Sequence, residues 1–175
     1  MNRGNAAMNA NALDNLVLVP DVRVLEVGFG GGATLPKLMA AAGHVTGFDR
    51  AEDMVEAAKS RYQGEIAAGK LRLDAGDIMS LPYEDGEFDR VLTVNTVYFW
   101  PDLYGALREL HRVLASEGAI VIGIRDPSVM RKVDRSIFTV REPQEVTTAV
   151  EDAGFAEVDL HSPPGAKYHL ITASA

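Results

Sequence analysis

Residues Val22 to Ala33 read Val-Arg-Val-Leu-Glu-Val-Gly-Phe-Gly-Gly-Gly-Ala, and this stretch constrains the fold more than any other. Val22, Val24, Leu25 and Val27 make a short β-branched run of the kind a buried parallel strand shows. Gly28, Gly30, Gly31 and Gly32 follow, and then an apolar-periodic segment from Thr34 to Ala40. Strand, glycine turn and helix in that order let backbone approach a nucleotide-like ligand and aim helix N–H groups at it. Two fingerprints overlap here. Gly28-x-Gly30-x-x-Ala33 fits a dinucleotide site with alanine in its third slot. Glu26 leading Gly28, Gly30 and Gly32 fits an acidic-x-Gly-x-Gly-x-Gly turn instead. A carboxylate at the strand end suits a cationic ligand and works against a pyrophosphate.

The remainder of the chain alternates strand and helix signals. Met1 to Pro20 holds Asn2, Asn5, Asn9, Asn11 and Asn15 among alanines. Its first half reads as frayed tail, or as a segment folding over the ligand, and its second half, with Leu13, Leu16, Val17 and Leu18, as a short amphipathic helix. A helix is expected from Ala33 to Ala42, stopped by Gly43, then a strand from His44 to Asp49. Asp49 falls about 20 residues beyond the glycines, where a βαβ unit places a carboxylate for ribose hydroxyls, although it also suits the cap of the next helix. That helix, Ala51 to Ala67, carries Met54, Val55, Ala58 and Tyr62 at helical spacing. A third strand, Leu71 to Ala75, leads to Gly76-Asp77-Ile78, where a carboxylate and an apolar side chain suit an adenine. Asp77 equally suits the cap of a turn.

A fourth strand is expected from Phe88 to Val94, followed by Asn95-Thr96-Val97-Tyr98-Phe99-Trp100 at a strand end, where parallel sheets bind ligands. One or two of Tyr98, Phe99 and Trp100 are expected in the core and one in the pocket. A helix from Pro101 to Leu114, a turn at Ser116-Glu117-Gly118 and a fifth strand from Ala119 to Arg125 come next. Asp126 to Phe138 reads as irregular. Its Arg131, Lys132 and Arg135, with Arg125, form either an anion-welcoming cap or a solvated loop balanced by Asp126 and Asp134. A helix from about Glu142 to Gly154 precedes a closing antiparallel hairpin of Phe155–Leu160 and Lys167–Ala173. The class is therefore α/β: a Rossmann-like, doubly wound, mostly parallel sheet in a three-layer sandwich. Residues 1–175 read as a single domain, with 1–20 an arm and 22–175 the core.

These motifs, in this order, resemble the class I S-adenosylmethionine-dependent methyltransferases, in their small-molecule, type 11-like branch. The resemblance runs from about Val22 to the C-terminus. It rests on Val-Leu-Glu-Val-Gly-Phe-Gly-Gly-Gly, Gly-Phe-Asp49, Gly-Asp77-Ile, Phe-Asp-Arg-Val-Leu-Thr-Val-Asn95 and Leu-Arg-Glu-Leu-His-Arg-Val-Leu-Ala-Ser-Glu-Gly. It implies a seven-stranded sheet with an antiparallel last strand, and S-adenosylmethionine as methyl donor with S-adenosylhomocysteine as product. S-adenosylmethionine has an ammonium and a sulfonium and no phosphate, in keeping with Glu26. Glu26, Gly28, Phe29, Gly30 and Gly32 would line its methionine part. Asp49 would take the ribose hydroxyls with Arg50 and Met54 nearby, Asp77 and Ile78 the adenine, and Asn95 the neighbourhood of the methyl donor.

Methyl transfer from a sulfonium is an in-line displacement on an activated carbon, so positioning and exclusion of water do most of the work. No acid–base pair is evident. Asn95, Tyr98 and Trp100 are the pocket candidates, and His44, His111, His161 and His169 read as structural or solvated. No cluster has metal-ligand spacing. A net charge of −8 disfavours a general nucleic-acid binder. No run approaches the roughly 20 apolar residues of a membrane span, and Met1 to Pro20 lacks a signal-peptide layout. With no cysteine, a cytoplasmic location is expected, and the resemblance implies a small-molecule acceptor. Two other readings stay open at this point: an NAD(P)-binding oxidoreductase, and a non-catalytic S-adenosylmethionine-binding domain.

Overall fold

The valine-rich run before the glycines forms strand β1 (Arg23–Val27), buried at every residue but the first. It lies between two parallel neighbours, β2 (His44–Asp49) and β4 (Phe88–Val94). The computed structural model describes residues 3–131 and 133–175, with side chains from residue 5 onward; Lys132, one of the basic residues of the 126–138 segment, lies outside the described residues. With β3 (Leu71–Ala75), β5 (Leu114–Arg125), β6 (Ala156–His161) and β7 (Tyr168–Ser174), these strands form one sheet in the order β3-β2-β1-β4-β5-β7-β6. β7 runs antiparallel to both β5 and β6, so the expected hairpin and antiparallel last strand are present.

From β1 the chain moves outward through β2 to β3, then returns to the other side of β1 with β4 and β5. The winding reverses between β1 and β4, and a crevice opens above the carboxyl ends of the strands at such a switch point. Gly28 follows β1 and Asn95 follows β4, so the glycine turn and the aromatic segment meet there.

Alternation along β1 sends Leu25 and Val27 to one face of the sheet and Val24 to the other. The first face packs on α5 (Leu103–Val113) and α6 (Pro143–Asp152), through Leu103, Leu107, Leu110, Val146 and Val150. The second packs on α1 (Arg3–Asn15), α2 (Leu35–Ala41) and α3 (Glu52–Arg61), through Met8, Leu16, Leu35, Leu38 and Val55. Glu26 shares the parity of Val24 and therefore lies on the α1–α3 side. No helix among the described residues is long and apolar enough to cross a membrane.

Three local expectations change. The N-terminal helix runs over the asparagine–alanine stretch, and Leu16 to Leu18 come after it. Met8, Ala12 and Leu16 are buried at spacings of four, a stripe that small alanines and polar asparagines disguise. The helix expected from Ala51 to Ala67 is two, because Tyr62 (φ −110°, ψ 30°) leaves helical geometry between α3 and α4 (Gln63–Ala67). The turn expected at Ser116–Gly118 is an irregularity inside β5: the strand pairs Leu114 with Phe88, shifts register, and resumes at Ala119 opposite Arg90. An extra loop of this kind bends a strand without ending its pairing.

Candidate active site

A cleft of about 1290 Å³ occupies the switch point. This exceeds the roughly 300–1,000 Å³ of a pocket for one drug-sized ligand, so it has room for two molecules side by side. One half is built from the tips of β1, β2 and β3, and carries Glu26, Asp49, Arg50 and Asp77. The other half is built from α1, the segment after β4 and the 126–141 loop.

Glu26 sits in the first half, only 5% exposed. Thr34 occupies the N-cap of α2, yet its hydroxyl does not cap the helix; it donates to Glu26 Oε1. Burial, together with the nearby Asp49 carboxylate, raises the Glu26 carboxyl to about 7 against the lowering pull of the Thr34 hydroxyl. Glu26 Oε2 is buried and receives no hydrogen bond from the protein. Asn95 Oδ1, also lining the cleft, is the other buried side-chain acceptor left without a protein donor among the described residues. Asn95 holds left-handed backbone (φ 62°), which asparagine tolerates better than most residues, and its N–H donates to the Gly123 carbonyl at 2.8 Å. Two unpartnered acceptors in one cleft ask for a ligand that brings N–H donors and positive charge.

Asp49 is buried at the tip of β2. Its Oδ2 accepts from Gly30 N at 2.7 Å and its Oδ1 from Ala51 N at 3.0 Å, so it ties the glycine turn to β2 and supports the entry to α3. A carboxylate has about four acceptor positions, leaving two toward the cleft. Asp77 lines the cleft and also accepts from Met79 N at 3.0 Å, so it caps the turn after β3 while facing the cleft. Gly28, Phe29, Gly30, Arg50, Ile78 and Trp100 line the cleft as well.

Three residues singled out from sequence do not line it. Gly32 (φ 68°) turns the chain into α2 behind the lining. Met54 on α3 is 48% exposed, at the solvent edge of the stripe that buries Val55 and Ala58. Tyr98 is 2% exposed, its hydroxyl accepts from Arg125 N, and burial raises it to about 12, so it is a core anchor and not a base. Phe99 and Trp100 face the cleft in its place. None of the four histidines lines it; His111 stacks edge-on against Phe155, and His169 lies between Ser162 and Asp126.

With the geometry in view, comparison with known proteins decides the family. The family described as methyltransferase domain matches residues 25–122, more than half of the chain. The chain belongs to the class I S-adenosylmethionine-dependent methyltransferases, in the type 11 branch. A sterol 24-C-methyltransferase from Gibberella zeae is 33% identical over 105 residues, covering 59% of this chain and 28% of that protein. The [4+2]-cyclase SpnF superposes with a TM-score of 0.84 at 18% identity, over 96% of this chain and 80% of the other. A SAM-dependent methyltransferase from Aquifex aeolicus superposes with a TM-score of 0.77 at 21% identity, over 94% and 88%. These two superpositions speak for the fold. The chain spans about a third of the length of the curated relatives it matches.

Several lining residues of this methyltransferase domain escaped sequence reasoning. Thr34 and Thr96 are small polar residues with no motif of their own; Thr96 reaches the cleft and shares a hydroxyl contact with Thr93. Asn5 and Asn9 reach it from α1, a segment the sequence left between frayed tail and ligand cover. Ile137 is the part of the 126–141 loop that faces the cleft. Arg131 and Arg135 are exposed and do not line it, while Asp126 and Asp134 are engaged by Ser128 and Ser136, so the loop builds no anion cap among the described residues.

Arg141 fastens this loop to the aromatic wall. Its buried guanidinium donates to the carbonyls of Val97 (3.2 Å) and Trp100 (3.1 Å) and to Glu145 (2.7 Å). Thr139 N donates to the Tyr98 carbonyl at 2.9 Å, and Phe138 packs on Phe99 with ring centroids 4.8 Å apart. Arg141→Met keeps the stem but strands two carbonyls. It is expected to cost about 2–4 kcal/mol and lower Tm by roughly 5–12 °C in a calorimetric scan. A drop of less than a degree or two would mean that solvent replaces the guanidinium and that the clamp is dispensable.

Proposed function

We propose that the protein transfers a methyl group from S-adenosylmethionine to a small-molecule acceptor, releasing S-adenosylhomocysteine. The observation that carries this reading is the pair of orphan acceptors, Glu26 Oε2 and Asn95 Oδ1, in a cleft at the switch point. Glu26 receives the ligand's ammonium, Asp49 its ribose hydroxyls, and Asp77 with Ile78 its adenine. Bound there, S-adenosylmethionine supplies a methyl on positively charged sulfur, and the sulfur keeps the bonding pair when an acceptor lone pair takes that methyl. The protein's own task is to hold the acceptor beside Asn95 and to close the cleft against water with Phe99, Trp100 and Ile137. The glycine turn is shared with dinucleotide sites, but a pyrophosphate brought to it would meet the Glu26 carboxylate, which repels it.

Thermal shift with S-adenosylmethionine, S-adenosylhomocysteine and NAD in parallel tests the reading. A ligand at 100 times its Kd adds about 2.7 kcal/mol, which for a chain of this size raises Tm by roughly 5–10 °C. A shift with the first two is expected, and a shift with NAD alone would overturn the assignment.

Glu26 makes affinity depend on pH. Its carboxyl titrates near 7 in the free protein, whereas in the unfolded chain it would ionise near the ordinary carboxylate value. Between those values the folded state holds the extra proton, so Glu26's contribution to stability is present at acid pH and is lost as pH rises to about 7. Ligand binding has the opposite slope. An ammonium needs the carboxylate, so affinity for S-adenosylhomocysteine rises about tenfold per pH unit from 5 to 7, with a proton released on binding. The ligand's amine is that of a free amino acid and stays protonated across this range, so affinity levels off above about 7. Calorimetric titrations at each pH check this, and Glu26→Gln should flatten the acid limb. An affinity unchanged between pH 5 and 7 would remove Glu26 as the ammonium's partner.

A further inference from the structure

The acceptor half of the cleft differs in chemistry from the cofactor half. Among the described lining residues, the ionisable ones are Glu26, Asp49, Arg50 and Asp77, all at the ends of β1, β2 and β3. Across the switch point the lining is Phe99, Trp100, Pro101 and Ile137, with Asn95 and Thr96 at the end of β4 and two carboxamides from α1, Asn5 and Asn9. Asn5 and Asn9 are one helical turn apart and so share a face of α1. α1 packs on β4, β5 and β7, which puts that face over the side of the cleft away from β2 and β3.

The carboxamides are not equivalent. Arg125 donates to Asn5 Oδ1, which fixes the amide and turns its NH2 to donate elsewhere. Asn9 makes no hydrogen bond to a protein partner among those found, so it offers both a donor and an acceptor. Ile137 is 59% exposed at the mouth, an apolar side chain that a bound molecule would cover. No charged side chain among the described residues lines this half, the Arg125 guanidinium being held behind it on Asn5 Oδ1, and an unpaired charge taken out of water is costly.

Resting on the methyltransferase reading, the geometry points to an uncharged acceptor: an apolar, ring-sized body carrying a hydroxyl or carbonyl, with Asn5 and Asn9 as the residues that select it. The body lies against Phe99, Trp100 and Ile137, and its oxygen meets the α1 carboxamides. Ammonium, carboxylate and phosphate acceptors are disfavoured by the same lining.

The test uses the full chain saturated with S-adenosylhomocysteine and three probes on one scaffold, 2-naphthol, naphthalene-2-sulfonate and 2-naphthyltrimethylammonium, followed by titration calorimetry. 2-Naphthol is expected to bind at least about tenfold more tightly than either ion, since only the ions bring an unpaired charge. Asn9→Leu is expected to weaken 2-naphthol about tenfold while leaving S-adenosylhomocysteine affinity unchanged, which a general loss of structure would not do. Ile137→Asp, at an exposed position that folding tolerates, is expected to weaken 2-naphthol and improve the cation. Equal or tighter binding of an ion would overturn the inference. So would no binding of 2-naphthol at millimolar concentration, or 2-naphthol binding that Asn5→Leu and Asn9→Leu both leave unchanged. A chain that binds no S-adenosylhomocysteine at all would instead overturn the methyltransferase reading, and this inference with it.

Discussion

Asp49→Ala is expected to weaken S-adenosylhomocysteine binding by about 100-fold or more. Each hydrogen bond between a charged carboxylate and a ligand hydroxyl is worth about 1.5–3 kcal/mol, and two of them together give a factor of roughly 10² to 10⁴. The substitution acts on the site in a second way. Asp49 also holds Gly30 N and Ala51 N, so its removal loosens the glycine turn on which Gly28 and Phe29 approach the ligand. Asp49→Asn separates the two effects. An asparagine retains an oxygen for one backbone donor and loses the charge, so the turn is better preserved and binding falls less, by about tenfold. The measurement is titration calorimetry with S-adenosylhomocysteine on all three proteins, after confirming that each unfolds cooperatively. An alanine variant binding within about threefold of the parent chain would show that the β2 tip does not hold the ribose.

The second large effect falls on Gly28. Its φ of 73° lies where a Cβ is strained, and a Cβ built there would overlap the Thr96 methyl and stand 3.3 Å from Thr96 Cβ. Gly28→Ala therefore combines left-handed strain with overpacking and is expected to cost about 2–5 kcal/mol, a Tm loss of roughly 5–15 °C. Gly30→Ala is the control. Gly30 also has positive φ, at 51°, but a Cβ there meets nothing within 4 Å, so only the strain of about 1–2 kcal/mol applies. The difference between the two variants isolates the contact with Thr96. Thr96→Ser, which removes the obstructing methyl, should restore part of the loss in Gly28→Ala. If the two alanine variants lose the same stability, or if Thr96→Ser rescues nothing, the close packing of the β1 and β4 ends is not what makes glycine necessary at 28.

The cofactor half of the site was readable before any coordinates because its residues are bound by local rules. A strand of β-branched residues, a turn needing positive φ and a helix start occupy consecutive positions, and Glu26, Gly28 and Gly30 are pinned within them. Asp49 and Asp77 are pinned similarly, the first as the last residue of β2 and the second two residues past β3. Met54 failed for a local reason too. Helical spacing placed it with Val55 and Ala58, but the buried stripe is narrow, and Met54 lies at its exposed edge.

The acceptor half obeys no local rule. Tyr98, Phe99 and Trp100 are adjacent and all aromatic, so nothing in their order says which one turns inward. That is decided by Arg125 N reaching the Tyr98 hydroxyl and by Arg141 gripping the carbonyls on either side. Asn5 and Asn9 lie some ninety residues before the aromatic segment they face, and α1 is set in place by Met8 and Leu16 in the core and by Asn11 donating to the Tyr168 hydroxyl at 2.5 Å. Amino-acid order alone thus settles the alternating α/β winding and the strand-tip carboxylates, because backbone sterics and short-range periodicity act between neighbours in the chain. The wall of the cleft opposite those carboxylates is settled only in three dimensions, because it is assembled from α1, the end of β4 and the 126–141 loop by contacts that chain order does not encode.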